Sequence, residues 1–226
     1  MNKVSLILFA LCSASSASTS PKVNITNHAA PPTQVLLSHP IDPKSMPFIS
    51  HKGPGAFDNA LALNIPYEPI KDIRSQLEQS LGGSLNYLKS WAPNGEAHVT
   101  TITPPEFANV LGKFLTMKEI EDIALKNQIQ HADVVLLGLG AGKKMINGIY
   151  EETFFVIVDS LKLRHIRNQI WRLYVNKGGD PKAWDPSWFF PHITVGYTKQ
   201  DLHEPDVIKN IRGSLDTRFA LKTAFH

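Results

Sequence analysis

Apolar positions recur along this chain with two periods, one near 3.6 and one near 2. Residues 56–67 alternate and stop at Pro66, which predicts a strand. Residues 68–81 put Ile70, Ile73, Leu77 and Leu81 on one helical stripe, with Pro69 in the first turn and Gly82-Gly83 as the stop. Alternation returns at 97–102. Thr103 then caps a helix carrying Glu106 at its third position and Phe107, Val110, Leu111 and Phe114 as its apolar side. Residues 116–127 predict another helix, with Thr116 as cap. Residues 133–140 and 152–160 are strand-like, and Gly142 and Asn147-Gly148 between them read as turns. Residues 161–175 form a long amphipathic pattern through Leu163, Ile166, Ile170, Leu173 and Tyr174. An aromatic stretch, 183–190, leads into a strand at 191–197. A short helix at 205–211 and a strand at 218–225 close the pattern. Residues 35–37 suggest an edge strand, and 85–91 a short strand or turn.

The order is strand, helix, strand, helices, then strand, strand, helix, strand, helix, strand. That is an α+β pattern in which each half supplies strands and a covering helix. It predicts a degenerate internal duplication in architecture: two small antiparallel sheets packed side by side with helices outside.

Composition places the chain among ordinary globular proteins. It has 226 residues, 42% hydrophobic and 19% charged, enough for one domain with a core. The formal net charge of +3 permits an anionic substrate but lacks the dense basic stripe of a nucleic-acid footprint. Lys3, the short apolar run 4–12 and the small residues 13–20 read as a cleaved secretory signal, residues 1–17, too short in its apolar part to span a bilayer. Residues 18–54 are rich in proline and serine and read as an extended lead-in, leaving 55–226 as the folded domain. Cleavage after Ala17 removes Cys12, the only cysteine, and with it any disulfide or thiolate chemistry. Asn24-Ile25-Thr26 is a sequon on that lead-in, so an N-glycan at Asn24 is expected of a glycosylating host. The expected product is a secreted monomer without a membrane anchor.

Two of the strands share an order of residues. Ala97-His98-Val99-Thr100-Thr101-Ile102 and Pro191-His192-Ile193-Thr194-Val195-Gly196-Tyr197 each contain His, a branched apolar residue and Thr. Residues two apart in a strand share a face, so His98 projects with Thr100 and His192 with Thr194, while Val99 and Ile193 turn to the core. An imidazole exchanges protons near neutral pH and a hydroxyl donates to a phosphate oxygen. Other features carry less. Gly138 to Lys144 is Gly-rich but has Leu137 where a phosphate loop needs Gly, so it reads as a strand end. Lys143 and Lys144 read as exposed turn residues, with contact to an anionic substrate left open. Trp184, Trp188, Phe189, Phe190 and Tyr197 are candidates to stack a base beside a phosphate, but such aromatics are more often core, and Tyr197 is the one read as bordering the cleft. Glu106 reads as a helix-start residue. No His or Cys spacing suggests a metal site, and no cofactor is expected.

With these residues in view, His98-Val99-Thr100 and His192-Ile193-Thr194-Val195-Gly196-Tyr197 resemble the paired signature of the two-histidine (2H) phosphoesterase superfamily, over residues 55–226. The resemblance implies a bilobal, pseudo-symmetric α+β domain with both motifs on adjacent central strands lining one central cleft. It implies His98 and His192 as catalytic acid and base, with Thr100, Thr194 and Tyr197 as substrate-binding residues. It implies a metal-independent phosphodiesterase acting on a nucleotide, a cyclic phosphate or an RNA end, as in RNA 2′,3′-cyclic phosphodiesterases and RNA-end processing. The alternative is a non-catalytic phosphate- or nucleotide-binding domain on the same fold.

Overall fold

Five antiparallel strands make one sheet, and the two His-x-Thr strands are neighbours in it. The computed structural model describes residues 30–55 and 58–224. In chain order the strands are β1 (Thr33–Leu37), β2 (Leu61–Ile65), β3 (Ala97–Ile102), β4 (Val135–Ile146), β5 (Ile149–Asp159), β6 (His192–Tyr197) and β7 (Phe219–Thr223). The helices are α1 (Tyr67–Leu81), α2 (Pro104–Asn109), α3 (Met117–Lys126), α4 (Leu161–Asn176) and α5 (Ile211–Ser214). The sheet runs β2-β3-β6-β5-β4, and β1 pairs with β7 in a separate parallel ribbon. The expected pair of side-by-side sheets is therefore one continuous sheet, because β3 and β6 hydrogen-bond directly instead of ending two lobes.

Local chemistry sets most boundaries. The Thr103 and Thr116 side chains each accept from the backbone N–H three residues on, and Glu106 and Glu119 reach back to the cap N–H groups, two full capping boxes. Gly82 ends α1 in the left-handed conformation with φ 68°. The strands expected to stop near residue 140 run on to Asn147-Gly148. Those two residues turn the hairpin with φ of 51° and 80°, the positive values such a tight turn needs. Gly142 is no turn: a Cβ there would lie 2.4 Å from the Val207 side chain, so glycine lets the later loop close on β4. The helix expected at 205–211 is absent. A short helix, α5, follows instead, because Val207 and Lys209 are drawn individually into buried contacts. Residues 85–91 contribute only a single bridge, Asn86 to Tyr197.

One face of the sheet carries the main core. Val99, Ile193 and Val156 meet Ile70, Ile73 and Leu77 of α1 and Leu163, Ile166 and Ile170 of α4, all essentially inaccessible. Burying side chains of this size stabilises by roughly 1.5–3 kcal/mol each. The opposite face has a smaller apolar cluster, Phe155, Ile157, Leu202 and Val207, which seats the 198–209 segment over β5.

The compact unit begins at Pro31, not at residue 55. Val35 and Leu37 are fully buried and His51 bridges to Ala60, so the proline-rich stretch folds with the domain. Apolar burial of alternate residues outweighs the loose composition. The signal segment, residues 1–17, and Asn24 lie outside the described residues. Among the described residues, no helix is long and apolar enough to cross a membrane.

Candidate active site

Val99 pairs with Ile193 across the antiparallel β3–β6 ladder. That register sets His98 opposite Thr194 and Thr100 opposite His192, all four on the face away from α1 and α4. His98 and His192 are then diagonal neighbours, with backbone separation of roughly 7–8 Å.

Both strands carry an extra residue directly after the threonine. Ala62 pairs with Thr100 and Leu61 with Ile102, leaving Thr101 as the bulge; Phe155 pairs with Thr194 and Phe154 with Gly196, leaving Val195. Bulges re-aim the side chains beyond them. In β6 the effect is specific. Strict alternation would turn Tyr197 away from His192, but after the bulge Tyr197 pairs with Thr153, which shares a face with Phe155. Tyr197 thus returns to the histidine face, where its hydroxyl donates to the Tyr87 carbonyl, 3.3 Å away. Burial, with Asp201 and Glu96 nearby, raises its pKa.

The two imidazoles differ in how they are held. The His192 Nδ1 lies 2.9 Å from the Phe190 carbonyl, which can only accept, so Nδ1 carries the proton and Nε2 keeps its lone pair. Phe155 meets the ring edge-on at 5.7 Å. His98 is walled by aromatics: Trp91 lies 4.7 Å from its ring, and His51 stacks on Trp91 at 3.5 Å. His98 Nδ1 and His51 Nε2 are the two buried side-chain polar atoms among the described residues that have no hydrogen-bond partner. Burial lowers His98 to about 4, with His51 and Lys209 adding to the effect. Burial lowers His192 to about 3, with Lys209 the next contributor. Both rings are neutral at pH 7 in the protein alone.

A buried pair lies beside them. Lys209 Nζ donates to Asp201 Oδ1 at 3.1 Å, and the Thr194 hydroxyl donates to Asp201 Oδ2 at 3.2 Å. Burial pushes Lys209 down and Asp201 up; their mutual attraction opposes both shifts and, with His203 and His192, leaves Asp201 below its ordinary range. The Thr194 hydroxyl proton, expected to be free for a phosphate oxygen, is therefore committed to Asp201. Among the described residues Thr100 has no such partner.

Arg167, fully buried on α4, supports the site from beneath. It donates to the Thr101 carbonyl in the β3 bulge, to both Glu106 oxygens, and to the Pro186 and Trp188 carbonyls in the loop entering β6. Trp184 also donates to Glu106, at 2.8 Å. Burial would raise the Glu106 carboxyl, but Arg167 and these hydrogen bonds hold it below its usual range. Glu106 is thus both a cap and the partner of Arg167. Trp184 and Phe189 are core, as expected, whereas Trp188 is exposed against Phe190. Lys144 pairs with Asp206 and Lys143 lies over Tyr150, so neither reaches the histidines as a free turn lysine. Gly138 to Gly142 lies inside β4.

Sequence reading missed His51, Trp91, Asp201 and Lys209. His51 sits in a proline-rich stretch and Lys209 in a predicted helix, so neither had a local signal. Asp201 follows β6 closely, and that nearness is the one hint available.

A fold with two His-x-Thr strands paired at the centre of one antiparallel sheet, both histidines on the face away from α1 and α4, defines a two-histidine phosphoesterase. Residues 59–203 match the family model described as Swiss Army Knife, 2H phosphoesterase domain, and the chain belongs to this family. The matched segment includes β2 through β6 and both motifs. Searches of curated proteins and of solved structures returned no match. Membership implies phosphodiester hydrolysis and a phosphate-containing substrate.

Proposed function

We propose that the chain hydrolyses a cyclic phosphate or an RNA-end phosphodiester by metal-independent general acid–base catalysis between His98 and His192. The observation that carries this reading is the Val99–Ile193 register, which puts both imidazoles and both threonines on one face. His192, whose Nε2 keeps its lone pair, takes a proton from the attacking water. The water oxygen bonds to phosphorus, the bond to the leaving oxygen breaks, and His98 delivers a proton to that oxygen. His98 must be charged to do so, and the anion of the bound diester favours its charged form. Each proton transfer contributes about 10²–10⁴-fold. Thr100 donates to a non-bridging oxygen, and Tyr197 borders the substrate. Thr194 contacts substrate only by rotating away from Asp201. The matched motifs and matched bulges also support an internal pseudo-symmetry of the one sheet about the β3–β6 pair.

The test is turnover of 2′,3′-cyclic nucleotides by the purified chain with excess chelator present. Hydrolysis lost in both His98→Ala and His192→Ala supports the reading. Full activity in either variant, or activity abolished by chelator and restored by a divalent cation, overturns it. We further propose, from the signal-like residues 1–17 and the Asn24 sequon, that the protein is an exported monomer cleaved after Ala17 and glycosylated at Asn24. N-terminal sequencing and the mass of the exported protein test that.

A further inference from the structure

A pocket of about 360 Å³ opens beside His192. Ile157, Phe190 and Pro191 line it. Ile157 pairs with His192 across the β5–β6 ladder, and the Phe190 carbonyl is the one that holds the His192 ring. Three cations line it: Lys209, a buried residue, and Arg164 and Arg212. Their commitments leave donors over. Lys209 spends one of its three N–H groups on Asp201. Arg164 binds Asp159, the one carboxylate lining the pocket, through Nε alone. Arg212 has no ion pair among the described residues.

We propose that this pocket is an anion subsite that takes a second, terminal phosphate of the substrate, distinct from the diester held between the histidines. The proposal rests on the phosphodiesterase reading for its place in catalysis, but the subsite is defined by its own residues. Lys209 and Arg212 lie beyond residue 203, where the family match ends, so the matched domain does not by itself supply the subsite. The pocket is within the size range of small-molecule sites, and guanidinium groups bind phosphate with paired hydrogen bonds. The substrate class is a nucleoside cyclic phosphate, or an oligonucleotide end, that also bears a phosphomonoester.

Two measurements test this. Inorganic phosphate is titrated calorimetrically into the full chain carrying His98→Ala and His192→Ala. Binding is expected to persist there and to weaken about tenfold on adding Arg212→Ala, an exposed position whose change leaves the core intact. Absence of phosphate binding in the double-histidine variant, or binding unaffected by Arg212→Ala, overturns the subsite. Second, 2′,3′-cyclic nucleotides with and without a 5′-phosphate are compared in the parent chain. The phosphorylated compound is expected to show a KM about tenfold lower, a preference that Arg212→Ala erases. Equal KM values in the parent overturn the proposal. No turnover of either compound defeats the phosphodiesterase reading instead, and the phosphate titration then decides the subsite alone.

Discussion

The Thr194 hydroxyl donates a hydrogen bond to Asp201, and the same carboxylate holds Lys209 from its other oxygen. Asp201 therefore links a motif threonine to a buried ammonium. Replacing Asp201 with Ala leaves that ammonium without its partner in a dry environment. The expected loss of stability is about 3–5 kcal/mol, read as a shift in the urea midpoint. Adding Lys209→Met to Asp201→Ala should recover much of the loss; if the double variant is no more stable than Asp201→Ala, the pair is not acting as a unit.

Removing only the hydrogen bond is a milder change. Thr194→Val keeps the shape and deletes the donor, so about 1 kcal/mol of stability is expected to go. If Thr194 turns to the phosphate during catalysis, kcat/KM falls more than tenfold; if Asp201 keeps it, kcat/KM stays within a few-fold. Steady-state kinetics on one cyclic nucleotide separates the two.

Acid should unfold this protein through its histidines. Both active-site rings have folded pKa values, about 4 and about 3, below the unfolded value of 6.5. The unfolded chain therefore binds more protons in that window, and stability falls as pH drops from about 6.5 toward 3. Chemical denaturation at a series of pH values measures the slope. His98→Gln should flatten it, and an unchanged slope would show that His98 is not buried neutral.

Gly142→Ala tests the contact between β4 and the loop carrying Lys209. The added methyl meets Val207, which must move. A loss of about 1–3 kcal/mol is expected, with weaker substrate binding as the loop is displaced. Gly142→Ala together with Val207→Ala should restore part of both.

The chain's own pattern showed much of this architecture, for identifiable reasons. The capping boxes at Thr103 and Thr116, the α4 stripe and the alternation around His98 and His192 are local, and local rules decided them. Long-range events were hidden. Nothing near Val99 reveals that it pairs with Ile193, so two sheets were as consistent with the sequence as one. The bulge at Val195 leaves no mark in composition, yet it alone returns Tyr197 to the histidine face. Lys209 lay within an expected helix, and its contact with Asp201 is tertiary. His51 belonged to a stretch whose prolines suggested a tail, while its partners Trp91 and His98 come from later in the chain.

Arg167 ties the β3 bulge, the start of α2 and the approach to β6 to one guanidinium. A collection of random variants would therefore show the two motifs as genetically entangled. Lesions at Glu106, Trp184 or the 186–188 backbone would mask one another, since each severs the same strut, and the second adds little once the first is present. Changes around His51 would combine with them independently. Selection for faster catalysis would accordingly find its room to explore on the aromatic wall and the Lys209 loop, and little around Arg167.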